Sequence, residues 1–244
     1  MLNENKKLSI QRANKLKEYA IADDLEKAKV EFGTSQKSIS NAKINKSKIL
    51  KVLNGTDEDW NNPEWQMKNR ISDLETILKI HKLPEDEYEN IRKVNKLYRF
   101  GITPYYFSLI DFNDSKCPIK AQCIPQILEL EEFGELDPMS ESTTNPAGAI
   151  TRRYPNKLII NVTNRCPSYC RHCQRRRLIG QKDFDTSKEK IDESIQYVRD
   201  NKEIREVLIT GGDALTIDNN KLEYIFKSLR DIPHVEILRF ATTY

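Results

Sequence analysis

The stretch NRCPSYCRHCQRRR, residues 164–177, places three thiols, one imidazole and five guanidinium groups within fourteen positions. Its cysteines Cys166, Cys170 and Cys173 have the spacing C-x3-C-x2-C. Thiolates bind soft metals and iron–sulfur clusters, and nearby arginines offset the negative charge of such a group. The N-terminus has no apolar secretory segment, which favours a cytoplasmic metal or redox site over disulfides.

Two local structures fit this spacing. In a helix the three cysteines would share one face, as a buried stripe does. A straight helix, however, spreads Cys166 and Cys173 over roughly 10 Å, and Pro167 is tolerated only in a first turn. We therefore expect a loop, in which three thiolates can turn toward one centre.

The ligand count leaves the identity of the metal open. Structural zinc usually takes four protein ligands, and no fourth ligand is evident in the loop. The remaining cysteines, Cys117 and Cys123, are expected to be packed free thiols. A [4Fe–4S] cluster on three cysteines keeps one iron open for a small molecule. A zinc-binding module remains the alternative.

The elements around the loop predict an α/β fold. Short apolar runs (KLIINVT, REVLIT and VEILRFAT) alternate with helical patterns (SKEKIDESIQYVRDN and NNKLEYIFKSLRDI), which is typical of parallel strands joined by crossover helices. Apolar residues have helical spacing at Ile191, Ile195 and Val198 in the first helix, and Leu222, Ile225, Phe226 and Leu229 share one face of the second. Three such strands would form part of a TIM-type barrel, so the sequence looks truncated within a larger domain.

Upstream, the composition predicts two further regions. Residues 1–100 are expected to be helical, residues 101–150 to form a proline-rich connecting segment, and residues 151–244 to form the partial barrel. Within the first region Asn54-Gly55 predicts a helix end, and Ser72 with Glu75 has the spacing of a capping box.

Composition argues against two classes of partner. The 244 residues carry 40 basic and 37 acidic side chains, a net charge of +3, which gives no general signal for nucleic acid. No apolar run approaches the roughly 18 residues that suggest a membrane span. We therefore expect neither a nucleic acid nor a membrane as partner.

Placed after a predicted strand, the C-x3-C-x2-C loop resembles the signature of the radical S-adenosylmethionine (SAM) superfamily. The GGD sequence after the next strand resembles the glycine motif of that superfamily. Longer stretches (NGTDEDWNNPEWQMKNRI, TPYYFSLID, ITRRYPNKLIINVTNRC and VLITGGDAL) are similar to the lysine/glutamate 2,3-aminomutases over essentially the whole chain.

The resemblance implies a site and its cofactors. Cys166, Cys170 and Cys173 would hold the [4Fe–4S] cluster. The SAM cofactor would meet His172, Gly211, Gly212 and Asp213. Pyridoxal 5′-phosphate (PLP) would place its phosphate near Arg153, Tyr154 and Lys157, although the family usually has Arg where Lys157 stands. Arg175 would bind the carboxylate of the amino acid substrate by a bidentate contact. In the family, an external electron donor starts the radical chemistry.

The implied reaction moves an amino group from C2 to C3 of an amino acid. Gln174 and the upstream NGTDEDW are closer to the glutamate enzymes, so L-glutamate is the expected substrate and lysine the alternative. The lysine that binds PLP lies, in the family, beyond the region that these 244 residues match. We therefore expect the chain alone to be inactive, and a non-catalytic iron–sulfur fragment remains a second hypothesis. The family is oligomeric, so the N-terminal helices are expected to cover the barrel exterior or a subunit interface.

Overall fold

A computed structural model of the chain describes residues 4–27, 35–131, 134–135, 137–180 and 182–242. The region before the sheet is helical. Its helices are α1 (Glu4–Lys27), α2 (Gln36–Leu53), α3 (Asp57–Trp60), α4 (Pro63–Lys68), α5 (Leu74–Ile80), α6 (Glu85–Asn95), α7 (Pro104–Ser108) and α8 (Pro118–Cys123). Two 3-10 helices, Ile127–Leu130 and Glu141–Thr143, lead to the sheet.

The sheet has the order β1-β2-β3-β4. Its strands are β1 (Ile150–Thr151), β2 (Lys157–Thr163), β3 (Glu206–Gly211) and β4 (Ile237–Phe240). Strands β2, β3 and β4 run parallel, whereas the short β1 pairs antiparallel with β2. Helices α9 (Arg176–Ile179), α10 (Lys188–Asp200) and α11 (Asn219–Arg230) complete the α/β part. The predicted partial barrel is confirmed as an open α/β sheet, to which the structure adds β1.

Side chains alternate across the sheet and build one of two cores. Leu158, Ile160 and Val162 of β2 point to the same face and pack with apolar residues of α10 and α11. The predicted stripe of α10 is buried, but in α11 only part of the predicted face is. Phe226 is exposed and stacks on Phe240 of β4, with ring centroids 6.0 Å apart. Phe226 therefore covers the edge strand β4, whereas Ile225 and Leu229 reach the core.

A second core joins the helical region to the connecting segment. It contains Ile49, Trp60, Phe107 and the two thiols Cys117 and Cys123. Both thiols are free and buried, as predicted, although they stand at the start and end of α8 and not in a loop. Helix α1 does not share this core, since its described side chains up to Ala22 are exposed. No helix in the described ranges is long and apolar enough to cross a bilayer.

Helix ends follow local side-chain chemistry. Asn54 ends α2 in the left-handed conformation, with φ 52°, as predicted. The predicted cap at Ser72 is wrong, because Asp73 is the N-cap of α5: its Oδ1 accepts a hydrogen bond from the Thr76 amide at 2.7 Å. A carboxylate accepts from an amide more strongly than a hydroxyl does, which accounts for the shift of one residue.

This correction is testable. Asp73→Ala should lower the free energy of unfolding by about 1 kcal/mol, because it removes the acceptor for the first turn of α5. Ser72→Ala, one residue earlier, should leave it within about 0.5 kcal/mol. Urea unfolding followed by circular dichroism measures both. Equal losses in the two variants would contradict the assignment of Asp73 as the cap.

Candidate functional site

The cysteine loop, residues 164–175, leaves the carboxyl end of β2 and ends where α9 begins. It consists of turns: the Cys173 amide donates to the Cys170 carbonyl at 3.1 Å, and the Arg176 amide donates to the Cys173 carbonyl at 3.2 Å. The predicted loop is confirmed, and the alternative of a continuous helix is wrong. Its three cysteines are free and half-buried.

The thiols lie within electrostatic reach of one another. Burial raises the pKa of the Cys166 thiol to about 12, and the charges of Asp213, Cys173 and Cys170 add to this shift. Burial also raises the pKa of Cys173, with a further contribution from Cys170. No group of three His, Cys, Asp or Glu side chains in the described ranges could hold a single metal ion. Three free thiols that share one loop suit a larger group with several points of attachment, as an iron–sulfur cluster is.

A clamp of four side chains holds the loop from the helical side. Arg70 Nη1 donates to the Cys166 carbonyl and to the Tyr169 hydroxyl, each at 2.8 Å. Asp183 pairs with both Arg70 and Arg99, and accepts a hydrogen bond from Tyr169. Burial raises the pKa of Tyr169 to about 12, and the hydrogen bond to Asp183 contributes. The two guanidinium groups also lie near the Tyr169 ring, at 5.3 and 4.5 Å from its centroid.

Backbone hydrogen bonds dock the same loop on the helical region. The Tyr169 amide donates to the Gly101 carbonyl at 3.0 Å, and the Arg171 amide donates to the Gln122 carbonyl at 2.8 Å. The Thr103 amide donates to the Pro167 carbonyl at 3.1 Å. These contacts give the polar backbone of a half-buried loop its partners, so residues before the sheet fix the position of the cysteines.

Every arginine in residues 164–177 meets a carboxylate. Glu129, Asp137 and Glu141, called the acidic trio below, supply most of the partners. The ion pairs are Arg165–Asp185 at 3.1 Å, Arg171–Glu129 at 2.6 Å, Arg175–Glu141 at 2.8 Å, Arg176–Glu129 at 3.0 Å and Arg177–Asp137 at 3.1 Å. The arginines therefore hold the preceding segment against the cysteine loop.

The glycine motif packs against the start of the loop. The Gly212 amide donates to the Thr163 carbonyl at 2.6 Å, and the Asp213 amide donates to the Arg165 carbonyl at 2.7 Å. A Cβ atom at Gly212 would lie 2.2 Å from the Arg165 carbonyl oxygen, and Gly211 has a φ of 129°. Only glycine permits this approach of two backbones.

The Asp213 side chain makes hydrogen bonds within the fold. Its side chain is buried, caps the 3-10 helix Ala214–Thr216 through the Leu215 amide at 3.0 Å, and accepts from the Thr242 hydroxyl at 2.9 Å. These contacts tie the end of β3 to the segment after β4.

A cavity of about 700 Å³ brings most of the predicted site residues together. Its wall contains Cys170, His172, Cys173 and Arg175 of the cysteine loop, Gly211 at the end of β3, and Arg153, Tyr154 and Lys157 before and in β2. Gly212 lines a neighbouring cavity of about 360 Å³. Cys166, Gly212 and Asp213 lie outside the larger wall in the part of the chain that the structure describes.

Sequence reasoning missed several residues of this site. Tyr169 stands between the first two cysteines, and Asp183 follows the loop, but neither has a spacing that marks it. Arg70, Arg99 and the acidic trio are remote in sequence and come close only through the fold. The surplus of arginines was the one available signal that carboxylates had to meet the loop.

Comparisons with known proteins agree with this geometry. Residues 160–243 match the family model of the Radical SAM superfamily. This range starts in β2 and includes the cysteine loop and the glycine motif, so the similarity to that superfamily falls on the part of the chain that carries the three cysteines.

Three similar proteins are named 2,3-aminomutases, in agreement with the resemblance stated from the sequence. The chain is 51% identical to glutamate 2,3-aminomutase of Clostridioides difficile over 242 residues, 99% of this chain and 57% of that protein. It is 44% identical to L-lysine 2,3-aminomutase of Fusobacterium nucleatum over 191 residues, 78% of this chain and 45% of that protein. It is also 44% identical to the enzyme of the same name from Clostridium subterminale over 189 residues, 77% and 45% of the two chains. The chain spans about half the length of these relatives.

The glycine contact gives a first prediction for the site. Gly212→Ala should push the Arg165 backbone away and displace Cys166, so iron uptake in anaerobic reconstitution should fall at least severalfold. Gly134→Ala is the control, because no atom lies within 4 Å of a Cβ added at Gly134. Equal iron content in the two variants would show that the position of the loop does not depend on the close contact between Gly212 and the Arg165 carbonyl.

The clamp gives a second prediction. Asp183→Asn should lower the free energy of unfolding by about 2 kcal/mol, because two half-buried guanidinium groups lose their charged partner. Glu223→Gln removes an exposed partner of Lys227, at 2.5 Å, and should leave the free energy of unfolding nearly unchanged, because exposed ion pairs contribute little. Urea unfolding measures both. If Asp183→Asn lowers the free energy of unfolding no more than Glu223→Gln does, the clamp does not stabilise the protein.

Proposed function

We propose that this chain is the cluster- and SAM-binding part of a radical 2,3-aminomutase, with L-glutamate as its substrate. One observation carries the proposal: three free thiols on one loop, at the carboxyl end of β2, stand beside a cavity whose wall also contains cationic and aromatic residues. The alternative substrate is L-lysine. The identity of 51% with the glutamate enzyme, against 44% with two lysine enzymes, supports glutamate.

Cys166, Cys170 and Cys173 are the proposed cluster ligands. A bound [4Fe–4S] cluster with three cysteine ligands supplies one open iron for SAM and passes on the electron that cleaves it. The protein holds the three thiols in place through the clamp and the glycine contact. An external electron donor, residence in the cytoplasm and a homo-oligomeric state belong to the same proposal.

Three of the four residues assigned to SAM line the two cavities, and Asp213 lines neither. His172 is exposed on the wall of the larger cavity, where its ring can pack on an adenine. Gly211 opens the same wall without a side chain, so the backbone can approach a ligand. Gly212 and Asp213 contact the backbone at the start of the cysteine loop and fix its position. We therefore propose direct contact for His172 and Gly211 and a positioning role for the other two.

The larger cavity also has residues suited to a phosphate group. Arg153 and Lys157 are exposed cations there, and the Lys157 ammonium lies 4.5 Å from the centroid of the Tyr154 ring. Two cations and a phenol can bind a dianion by charge and hydrogen bonds. PLP, when bound, supplies the pyridine ring that stabilises the radical, and these three residues would orient its phosphate.

Arg175 is the proposed site for the substrate carboxylate, and it already holds a carboxylate. Its Nε and Nη2 donate to both oxygens of Glu141, at 2.8–3.1 Å. Both residues line the larger cavity. The geometry is the bidentate fork that an amino acid carboxylate would adopt. A substrate must therefore displace Glu141, or share Arg175 with it.

Anaerobic reconstitution tests the proposed function. The chain should take up about four iron and four sulfide and, with a strong reductant, cleave SAM to 5′-deoxyadenosine. Alanine in place of Cys166, Cys170 or Cys173 should remove most of the iron. Cys117→Ala, a change at a buried free thiol of the helical core, should retain it. A colourless protein that binds zinc alone would favour the zinc module and overturn the proposal.

The pairing of Arg175 gives a separate prediction. Glu141→Gln should tighten the binding of L-glutamate to the reconstituted protein about tenfold, because a competing carboxylate is removed; this corresponds to about 1.4 kcal/mol. Glu203→Gln is the control, since Glu203 pairs with Arg152 at 2.7 Å and not with Arg175. Isothermal titration calorimetry measures the affinities. Binding that is no tighter in Glu141→Gln than in the unmodified chain would exclude Arg175 as the carboxylate site.

A further inference from the structure

A side chain from outside the cysteine loop donates to one of its sulfurs. Gln122, in the last turn of α8, places its Nε2 at 3.8 Å from Cys170 Sγ, within the range for an N–H···S hydrogen bond. Gln122 is half-buried. In the described part of the chain, this is the one hydrogen bond in which a side-chain amide donates to a cysteine of the loop.

Two contacts hold the Gln122 amide in this direction. The Tyr106 hydroxyl donates to Gln122 Oε1 at 2.7 Å, which turns the NH2 group toward Cys170. The Gln122 carbonyl accepts the Arg171 amide at 2.8 Å, next to the cysteine in sequence. Tyr106, Gln122 and Cys170 therefore form a chain of donors and acceptors that runs from α7 through α8 to the loop.

This chain lies on a different side of the loop from the proposed substrate cavity. A separate cavity of about 360 Å³ is lined by Tyr106, Gln122 and Cys170 together with Trp60, Tyr105 and other residues of the helical region. Cys170 lines both this cavity and the one of about 700 Å³. A change at Gln122 therefore acts on the sulfur without altering the wall that contains His172 and Arg175.

We propose that Gln122 is a positioning residue that raises the reduction potential of the cluster by donating a hydrogen bond to Cys170, with Tyr106 orienting its amide. This proposal rests on the cluster binding proposed above. Reduction adds an electron to the cluster and makes its sulfurs more negative. An N–H group directed at a sulfur stabilises the reduced state more than the oxidised state, and hydrogen bonds to sulfur are among the factors that set cluster potentials.

The midpoint potential of the reconstituted chain tests the proposal. Gln122→Leu removes the donor and keeps a side chain of similar size. At a fixed applied potential the ratio of reduced to oxidised cluster should fall about tenfold, a shift of about 59 mV to lower potential for one electron. Tyr106→Phe leaves Gln122 in place but frees its amide, so a smaller shift in the same direction is expected. Potentiometric titration followed by electron paramagnetic resonance measures both.

Gln126→Leu is the matched control. Gln126 is exposed, and its amide donates to the Ala121 carbonyl at 3.4 Å and not to a cysteine. A potential in Gln122→Leu equal to that of Gln126→Leu would overturn the role of Gln122 while leaving cluster binding intact. If Gln122→Leu takes up no iron, Tyr106→Phe decides by its own shift. Failure of the unmodified chain to bind iron would overturn the cluster proposal and this one together.

Discussion

The pairing of arginine with carboxylate is the interaction on which the cysteine loop depends. Five guanidinium groups lie within residues 164–177, and several are half-buried or buried. Burying a cation without a partner is costly, and like charges so close together repel one another. The acidic trio and Asp185 remove that cost for all five. Asp183 does the same for Arg70 and Arg99 at the clamp. The loop can therefore pack closely and keep its three thiols free.

This pairing changes the account of how a cluster would be balanced electrostatically. From the sequence, the arginines were expected to offset the charge of a metal group. In the structure their guanidinium groups are already engaged with carboxylates of the chain. Stabilisation of a bound cluster then depends more on neutral donors, such as the Gln122 amide beside Cys170.

Much of the fold followed from the sequence, and much of the site did not. The three parallel strands, α10 and α11 have clear apolar periodicity, which reports local burial. The cysteine loop and the glycine motif could be predicted because their residues are adjacent in sequence. The clamp could not be predicted, because Arg70, Arg99 and Asp183 meet only after the helical region docks on the loop. The predicted cap at Ser72 was wrong because the neighbouring carboxylate of Asp73 accepts the amide hydrogen bond at the start of α5.

The glycine motif has two roles that cannot be separated from the sequence alone: it permits close packing of two backbones, and it exposes backbone to the larger cavity. Gly212 must lack a side chain because the Arg165 carbonyl occupies the space of a Cβ, so its role is explained by the packing of β3 against the loop. Gly211 has the same restriction toward the Thr163 carbonyl, yet it also opens onto the larger cavity. Close packing of the two strand ends therefore creates, on its other side, a surface of bare backbone. A motif that first serves the fold thereby provides the place where a ligand can approach the cysteines.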